Sequence, residues 1–349
     1  MKRPSPSRLR FFRSLRGMTQ ADLAQRCGVS RSGIAAIENG MLVPSVKAAL
    51  ALSNALGCTV EELFACDMQG ESNWAWRPSR TPCGYWLAAY GPQLLRVPVE
   101  PTPLGVQPFD GWFDGNIDTQ RHPMYDPGKS LVLASCDPAI GLIAGLLQAH
   151  YGMRLLALHR HSREALSLLK AGAVHVAGIH LREIDEPDSN ADVVRDDLGP
   201  GYRLLRGAVW HEGVAVRSGE GLTSLARVVA PSIRWIGRKE GSGAKRCENK
   251  VFESVKAFTR IAADHQEVAF AVSRGWVDAG ICHRFNAEQA GLNFIQASKE
   301  AFDFCYPIQM EDDSRIKALR EVIQDRAYRR CLGKLPGYEI DTTGDQMRV

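Results

Sequence analysis

Apolar residues recur at helical spacing through the first 66 residues, and short breaks divide them into five segments. In the two central segments, Leu23 falls on one apolar face, and Ile34 and Ile37 fall on another. Thr19 and Ser30 precede these segments, where a hydroxyl can accept a free backbone N–H and cap a helix. The pattern predicts an all-α domain of five helices in residues 1–66, at 8–16, at two places within 19–39, at 45–56, and from 59 onward.

The helical period is lost between residues 67 and 127. Polar residues, proline and tryptophan without a period predict a linker up to about residue 83. Alternating residues at 85–89, a turn at 90–93 and an apolar run at 94–99 then predict short strands. Four prolines between 98 and 108 prevent a helix. We interpret residues 67–127 as a linker followed by a β-rich connector.

From residue 128 onward, short apolar runs alternate with amphipathic segments. The runs at 130–134, 155–158 and 174–179, with helices between them, predict a βαβαβ unit and a parallel sheet. Residues 184–203 are polar and predict an irregular segment. Further strands are predicted at 209–216, 233–236, 278–282, 294–295 and 302–307, and further helices at 245–262, 267–274 and 313–331.

The charge of the chain is unevenly distributed. Residues 1–66 hold nine Lys and Arg against four Asp and Glu, and the remainder holds 34 against 35, within an overall net charge of +4. The basic excess therefore lies in the helical region, where contacts to phosphates would need it.

The nine cysteines include no CxxC pair, and their number is odd, which is typical of a protein in a reducing cytoplasm. No apolar run is long enough to cross a membrane.

The segment 18–40 resembles the phage-repressor-like helix-turn-helix family, also called the xenobiotic-response-element family, through Met18-Thr19-Gln20, Leu23-Ala24, Gly28-Val29-Ser30 and Ile37-Glu38-Asn39-Gly40, with Pro44-Ser45 following. The resemblance implies that the second helix enters the major groove of double-stranded DNA by its N-terminal end, and that two copies bind a two-fold operator. We expect Arg31 and Ser32 to contact base edges. The full set of predicted DNA-binding residues is Gln20, Ser30, Arg31, Ser32, Ala35, Asn39 and Lys47.

Hydroxyl groups and glycines occur at three predicted helix starts in the α/β region. Ser135 and Ser162 follow strands, and a glycine loop at 241–244 precedes a long helix. Ligands of open α/β sheets lie beyond the carboxyl ends of the strands, where helix N-termini attract anions. The predicted ligand-binding residues are Ser135, Cys136, Asp137, Ser162, His180, Gly241, Ser242, Gly243, Ala244 and Lys245.

A second resemblance rests on Ser135-Cys-Asp-Pro-Ala, Ala177-Gly-Ile-His-Leu, Gly241-Ser-Gly-Ala-Lys and Val277-Asp-Ala-Gly-Ile. These stretches resemble the type-2 periplasmic-binding-protein fold, and more narrowly its molybdate-binding-like domain in bacterial regulators. The resemblance implies an α/β domain of two lobes over 128–349, with lobe one at 128–205 plus 296–335 and lobe two at 206–295. In that family Thr-Arg usually follows Gly-Ser-Gly, whereas Ala244-Lys245 stands here and lacks the hydroxyl.

The sequence thus predicts a cytoplasmic, homodimeric one-component transcription regulator that senses a small ligand such as molybdate or tungstate. Pterins or other organic anions stay open as effectors, because Trp210, Trp235 and Phe285 could stack on a ring or simply pack in a core. An enzyme or a protein-interaction module behind the DNA-binding domain also stays open. No nucleophile–base or paired-carboxylate motif favours catalysis. Cys136, Cys282 and His283 lack the close spacing of metal ligands, so we expect neither a metal nor a cofactor.

Overall fold

The chain consists of two compact units that divide between residues 71 and 72. The structure, a computed structural model, describes residues 8–39, 41–58, 60, 63, 73–115, 118–120, 125–186, 189–219 and 221–349. Within these residues, no helix is both long enough and apolar enough to span a bilayer.

The first unit contains four helices within the described residues: α1 (Arg8–Leu15), α2 (Gln20–Cys27), α3 (Arg31–Glu38) and α4 (Val46–Leu56). The predicted caps are present, since Thr19 and Asp22 form a reciprocal capping box at α2. Gly28 ends α2 with a φ of 63°, a left-handed conformation that glycine adopts without strain. The predicted fifth helix falls mostly on residues outside the described ones.

The core of the first unit is formed by one apolar face of each helix. Leu9, Leu23, Ile34, Leu52 and Leu56 are at most 1% exposed. Packing of these side chains fixes α2 and α3 against each other, as the predicted helix-turn-helix requires.

The second unit begins with a five-stranded sheet, in the region where the sequence predicts short strands. Its order is β1-β3-β2-β4-β5, and the strands are β1 (Asn73–Trp74), β2 (Cys83–Tyr90), β3 (Gln93–Pro98), β4 (Gly111–Phe113) and β5 (Asp118–Gln120). Trp86 and Val97 pack into the core of the following domain. A buried ion pair joins the two, because Arg154 Nη2 lies 2.6 Å from Asp110 Oδ2.

A ten-stranded sheet forms the rest of the second unit, with the path β11-β10-β12-β9-β13-β8-β6-β7. The strands are β6 (Ser130–Ser135), β7 (Arg154–His159), β8 (Val176–Ile179), β9 (Tyr202–Val216), β10 (Trp235–Arg238), β11 (Ile261–Ala262), β12 (Ala279–His283), β13 (Asn293–Pro307), β14 (Tyr338–Glu339) and β15 (Gln346–Arg348). β14 and β15 pair with β9 beside this path. The strands β6, β7 and β8 are mutually parallel, as the βαβαβ pattern predicts.

Two long antiparallel strands, β9 and β13, connect the halves of this sheet. β8 pairs with β13 on one side and β12 pairs with β9 on the other. We call the half containing β6–β8 lobe one and the half containing β10–β12 lobe two. The observed arrangement is the two-lobed α/β fold with crossing strands that the second resemblance implies.

Helices cover both lobes: α5 (Ile140–Tyr151), α6 (Ser162–Lys170), α7 (Asn190–Leu198), α8 (Leu225–Val228), α9 (Gly243–Val251), α10 (His265–Ser273), α11 (Arg284–Gln289), α12 (Ser314–Gln324) and α13 (Arg326–Leu332). Four predictions are wrong in detail. The segment predicted as irregular contains α7, whose start is capped by Ser189 and Asp192. The helix predicted at 245–262 ends at Val251, the helix predicted at 313–331 breaks at Asp325, which caps α13, and the two strands predicted near 294 and 302 are one strand, β13.

We expect a fragment of residues 73–349 to unfold in one cooperative transition without the first unit. The reason is that both sheets and their cores are built from residues of this unit alone. Calorimetry of the fragment and of the full chain checks this. A fragment that shows no cooperative heat absorption, while the full chain does, would refute the domain boundary.

Candidate functional site

The N-terminal end of α3 is exposed on the surface of the first unit, where it can approach a DNA groove. Arg31 and Ser32 are exposed in its first turn, and Asn39 is exposed at its end. The Ser30 hydroxyl accepts the Gly33 N–H at 3.0 Å, which caps the helix as predicted. Ala35 is half-buried, and Lys47 is exposed on α4.

A buried carboxylate fixes the other end of α3. Glu38 is 6% exposed and accepts hydrogen bonds from Arg13 Nε at 2.6 Å and from Gln20 Nε2 at 2.8 Å. Burial acts to raise the pKa of Glu38, but the bonds from Arg13 and Gln20 bring it below its ordinary value. Gln20 was predicted to contact phosphate; the structure shows its amide engaged with Glu38, so it orients α2 against α3.

In the second unit, the predicted ligand residues of lobe one gather around His180, which is 1% exposed at the end of β8. Cys136 Sγ lies 3.2 Å from His180 Nε2, and the His180 backbone N–H donates to Ser162 Oγ at 3.1 Å. Ser135 and Asp137 flank the thiol and are also buried. The ends of β6 and β8 and the start of α6 therefore lie together at this point.

The glycine loop of lobe two reaches the same histidine. A Cβ atom on Gly243 would lie 2.0 Å from the His180 carbonyl oxygen, so the two backbones are in direct contact. Gly241 accepts a weak hydrogen bond from the Arg163 N–H at 3.4 Å. Lys250 and Arg246 of lobe two pair with Glu183 and Glu186 of lobe one. The lobes are closed upon each other at this loop.

The hydroxyl groups expected to hold an anion form hydrogen bonds within the chain, but only that of Ser242 is seen to donate its proton. Ser135 Oγ accepts the Asp137 N–H at 3.0 Å, and Ser242 Oγ donates to the Lys239 carbonyl at 2.7 Å while accepting the Lys245 N–H. Ser162 lies under His180 at the start of α6, and Ala244 is buried in the core of lobe two.

Lys245 is also turned away from the cleft. It is only 4% exposed, and its ammonium group contacts Glu248 and the Lys256 carbonyl. The charge that could attract an anion is therefore neutralised inside lobe two.

Two carboxylates that sequence reasoning missed complete the site. Glu212 lies on β9 and Glu300 lies on β13, and both are 0% exposed. His180 Nδ1 lies 2.6 Å from Glu300 Oε2 and 3.3 Å from Glu212 Oε2. Glu212 and Glu300 lie in strands that also contain other charged residues, so the sequence did not distinguish these two buried acids from surface positions.

Lobe two adds two imidazoles, His265 at the start of α10 and His283 at the end of β12. His265 Nδ1 accepts the His283 N–H at 3.1 Å and lies 3.7 Å from Glu212 Oε1. His265 Nε2 and the indole N–H of Trp210 have no hydrogen-bond partner among the described residues. We call Cys136, His180, Glu212, His265 and Glu300 the junction cluster, because they come from both lobes and both crossing strands.

The electrostatics of the junction cluster follow from its burial. Burial and the neighbouring charge of Glu212 raise the pKa of Glu300 to about 7. Burial opposes charge on His180, but Cys136 and the two carboxylates raise its pKa well above the ordinary value. Burial lowers the pKa of His265, so this imidazole is neutral at pH 7.

The junction cluster opens onto a cavity of about 1090 Å³. Cys136, Asp137, His159 and His265 line it, as do residues of α10 and the segment 101–103. Burial raises the pKa of Asp137 to about 6, although the carboxylate accepts hydrogen bonds from Tyr338 and from the Ala139 N–H. Such a cavity is large enough for a small organic molecule.

These features define a class of protein with a helix-turn-helix unit followed by a two-lobed binding domain. Comparison with known families agrees: residues 9–63 match the helix-turn-helix family, and residues 144–324, more than half of the chain, match the PBP superfamily domain. The chain belongs to the PBP superfamily domain family and carries a phage-repressor-like helix-turn-helix at its N-terminus.

Similar proteins match either the second unit or the first. The chain is 25% identical over 232 residues to the uncharacterized protein YvgK of Bacillus subtilis, covering 63% of this chain and 74% of that protein. Its N-terminal part is 41% identical over 58 residues to an uncharacterized HTH-type transcriptional regulator of Methanocaldococcus jannaschii, covering 17% of this chain and 88% of that protein. The chain thus combines the DNA-binding domain type of transcription regulators with a PBP-like domain.

Solved structures with a similar fold include a phosphate-bound substrate-binding protein of a putative phosphate ABC transporter from Clostridium perfringens. It has a TM-score of 0.48 at 10% identity and covers 63% of this chain and 99% of that chain. A tungstate ABC transporter structure from Geobacter sulfurreducens has a TM-score of 0.43 at 13% identity and covers 57% of this chain and 95% of that chain.

We expect Gly243→Ala to destabilise the closed arrangement of the lobes by about 1–3 kcal/mol, because the added Cβ would collide with the His180 carbonyl. Urea unfolding of the full chain measures the change. The matched control is Gly145→Ala in α5, where a Cβ meets nothing within 4 Å and helix propensity favours alanine. Equal stabilities of the two variants would show that Gly243 is only part of a turn.

Proposed function

We propose that the chain is a one-component transcription regulator that binds operator DNA through α3 and responds to a small effector bound between the lobes of the second unit. The observation that carries the proposal is the pairing, in one chain, of a capped and exposed α3 N-terminus with a cavity at the junction of two lobes. A ligand of this cavity contacts both lobes, so it can stabilise the closed form relative to an open one.

The DNA contacts are assigned from exposure and position on the helices. Arg31 and Ser32 lie where side chains of a recognition helix reach base edges, and Asn39 and Lys47 lie where backbone phosphates pass. Ser30 holds the helix start, and half-buried Ala35 gives the DNA close access to the helix. The net +5 of residues 1–66, from nine basic and four acidic residues, supports this assignment.

We further propose that the regulator is cytoplasmic and acts as a homodimer. The reason for the homodimer is that a single helix-turn-helix covers only a few base pairs. An exposed apolar segment in the first unit supports association with a second copy. Val43, Val46 and Leu50 are 89%, 79% and 51% exposed. Exposed apolar side chains that lie close together in the sequence, as these do, favour such an interface.

The effector is a separate question, and the predicted oxyanion stays a prediction. Three helix starts do meet near His180, which supports it. The Ser242 hydroxyl, which donates to the Lys239 carbonyl, and the buried carboxylates of Glu212 and Glu300 weigh against it. An anion placed here would meet two buried acids, and burying like charges together is costly.

We expect Arg31→Ala to lower the affinity for operator DNA by about 1–3 kcal/mol and to relax the preference for one base pair, because it removes a base contact. Arg31→Lys should lose the same preference while retaining most non-specific binding, since lysine lacks the planar fork of arginine. Quantitative footprinting with the operator and with mutated operators measures both effects.

The comparison variant is Lys47→Ala, which should weaken binding to all DNA sequences alike and lower the salt dependence of binding. If Arg31→Ala instead behaves like Lys47→Ala, with unchanged base preference, Arg31 contacts phosphate and the assignment of the reading helix is wrong.

We expect molybdate and tungstate to raise the melting temperature no more than sulfate does at equal ionic strength, because the two buried carboxylates of the junction cluster would repel an anion. A specific ligand at 100 times its Kd would add about 2.7 kcal/mol of stability. Thermal melting of the full chain with each anion measures this. A rise that molybdate or tungstate alone produces would restore the oxyanion as the effector.

A further inference from the structure

The junction cluster contains a set of side chains that function as metal ligands in proteins. Cys136, His180 and His265 each offer one ligand atom, and these atoms lie within 4.8 Å of one another. All three residues are buried. The ligands come from the end of β6, the end of β8 and the start of α10, which are 44 and 85 residues apart along the chain. This separation is why no sequence spacing revealed them.

The distances suit a tetrahedral ion. Zinc lies about 2.3 Å from sulfur and about 2.0 Å from nitrogen, so two ligand atoms on one zinc are about 3.5 Å apart. Cys136 Sγ and His180 Nε2 are 3.2 Å apart. The third ligand atom lies within 4.8 Å of the other two, so it needs to approach by about 1 Å. Because the lobes are already in contact at Gly243, this approach is a local movement of the His265 side chain.

Glu300 and Glu212 occupy the positions of outer-sphere hydrogen-bond partners of metal-binding histidines. His180 Nδ1 is 2.6 Å from Glu300 Oε2, which leaves Nε2 as the atom that faces the Cys136 thiol. Metal-binding histidines commonly donate their second ring N–H to a carboxylate in this way, which fixes the tautomer. Glu300 thus holds His180 in the orientation that an ion requires.

Glu212 can serve His265 in the same manner. Neither oxygen of Glu212 forms a well-aligned hydrogen bond with a described atom. His180 Nδ1 lies 3.3 Å from one oxygen, and His265 Nδ1 lies 3.7 Å from the other. The unpartnered Nε2 can bind an ion only in the tautomer that carries the proton on Nδ1, so the bond that Nδ1 accepts from the His283 N–H would be replaced by donation to Glu212 Oε1. A bound divalent ion would also compensate the two buried carboxylates, which otherwise share His180.

We propose that Cys136, His180 and His265 bind one divalent transition-metal ion of the zinc class, with Glu212 and Glu300 as outer-sphere partners and the fourth coordination position open to the cavity. Thiolate and imidazole ligands select zinc, cobalt and related ions over magnesium and calcium. When the ion binds, the thiol proton of Cys136 and the Nε2 proton of the charged His180 imidazole are both released to solvent. Cys136 and His265 both line the cavity, so an effector in the cavity could complete the coordination.

The ion would also join the two lobes, because two ligands belong to lobe one and the third belongs to lobe two. Metal binding therefore favours the closed form by the difference in affinity between the two forms. This regulatory consequence rests on the proposed function, whereas binding of the ion does not.

The test uses the full chain, stripped with a chelator and titrated with Co²⁺ without oxygen. We expect one equivalent of Co²⁺ to give the intense visible absorption of four-coordinate cobalt together with a near-ultraviolet thiolate-to-cobalt band, and Zn²⁺ to bleach both. Cys136→Ser should remove the thiolate band. His265→Gln should weaken binding by more than Glu212→Gln, whose loss as an outer-sphere partner should cost about 10–100-fold in affinity.

The matched controls are Cys331→Ser, which changes an exposed thiol, and His150→Gln, which changes an exposed imidazole. Both should leave the spectrum and the affinity unchanged, and circular dichroism should confirm that every variant is folded. Absence of stoichiometric Co²⁺ binding by the wild-type chain would overturn the proposal. So would a thiolate band that survives Cys136→Ser. A thiol at Cys136 that reacts rapidly with iodoacetamide in a chain that binds no Co²⁺ would also overturn it, and would assign Cys136, His180 and Glu300 as nucleophile, base and orienting group instead.

A second measurement separates the metal site from the regulatory function. Operator affinity is compared for the wild type and Cys136→Ser, each with Zn²⁺ and with chelator. A Zn²⁺ effect on the wild type that Cys136→Ser lacks supports both proposals. Metal binding without any effect on operator affinity retains the site and overturns its regulatory role. Operator binding by a chain that binds no metal retains the regulator and overturns the site.

Discussion

Burial of charge at the junction of the crossing strands constrains the rest of the second unit. Glu212 and Glu300 have no exposure to solvent, and a carboxylate in such surroundings is stable only beside a positive group or a proton. His180 is the group that both acids share. Removing its imidazole would take away the positive group that contacts both acids and would destabilise the junction of β8, β9 and β13.

The closed arrangement of the lobes follows from the same histidine. The backbone of His180 touches the start of α9 at Gly243, where no larger residue fits, and its ring faces the thiol of Cys136. His180 therefore belongs both to the junction cluster and to the contact between the lobes. A change in the charge or ligation of His180 acts directly on the surface where the lobes meet, which is the coupling that a sensor domain needs.

Much of the architecture could be predicted because local physical signals were strong. Thr19 and Ser30 cap helices by hydroxyl bonds to nearby N–H groups, and the apolar runs of β6 and β7 have the length of buried parallel strands. The junction cluster could not be predicted in the same way, since Glu212, His265 and Glu300 meet only after β9 and β13 have paired. The expected roles of Ser242 and Lys245 were plausible for an isolated helix start. The Ser242 hydroxyl and the Lys245 ammonium group do not point at the cleft, because they bind the Lys239 carbonyl and Glu248 instead.

The pairing of β9 with β13, β14 and β15 has a consequence for how the protein is made. β9 ends at Val216, but its partners extend to Arg348. Lobe one therefore cannot complete its sheet until Arg348 has been synthesised, and pairing across such sequence distances is slow. The four described helices of the first unit are finished nearly 300 residues earlier. During synthesis, the first unit can therefore fold before the second unit is complete. A prematurely ended chain would contain the helix-turn-helix unit without the two-lobed domain.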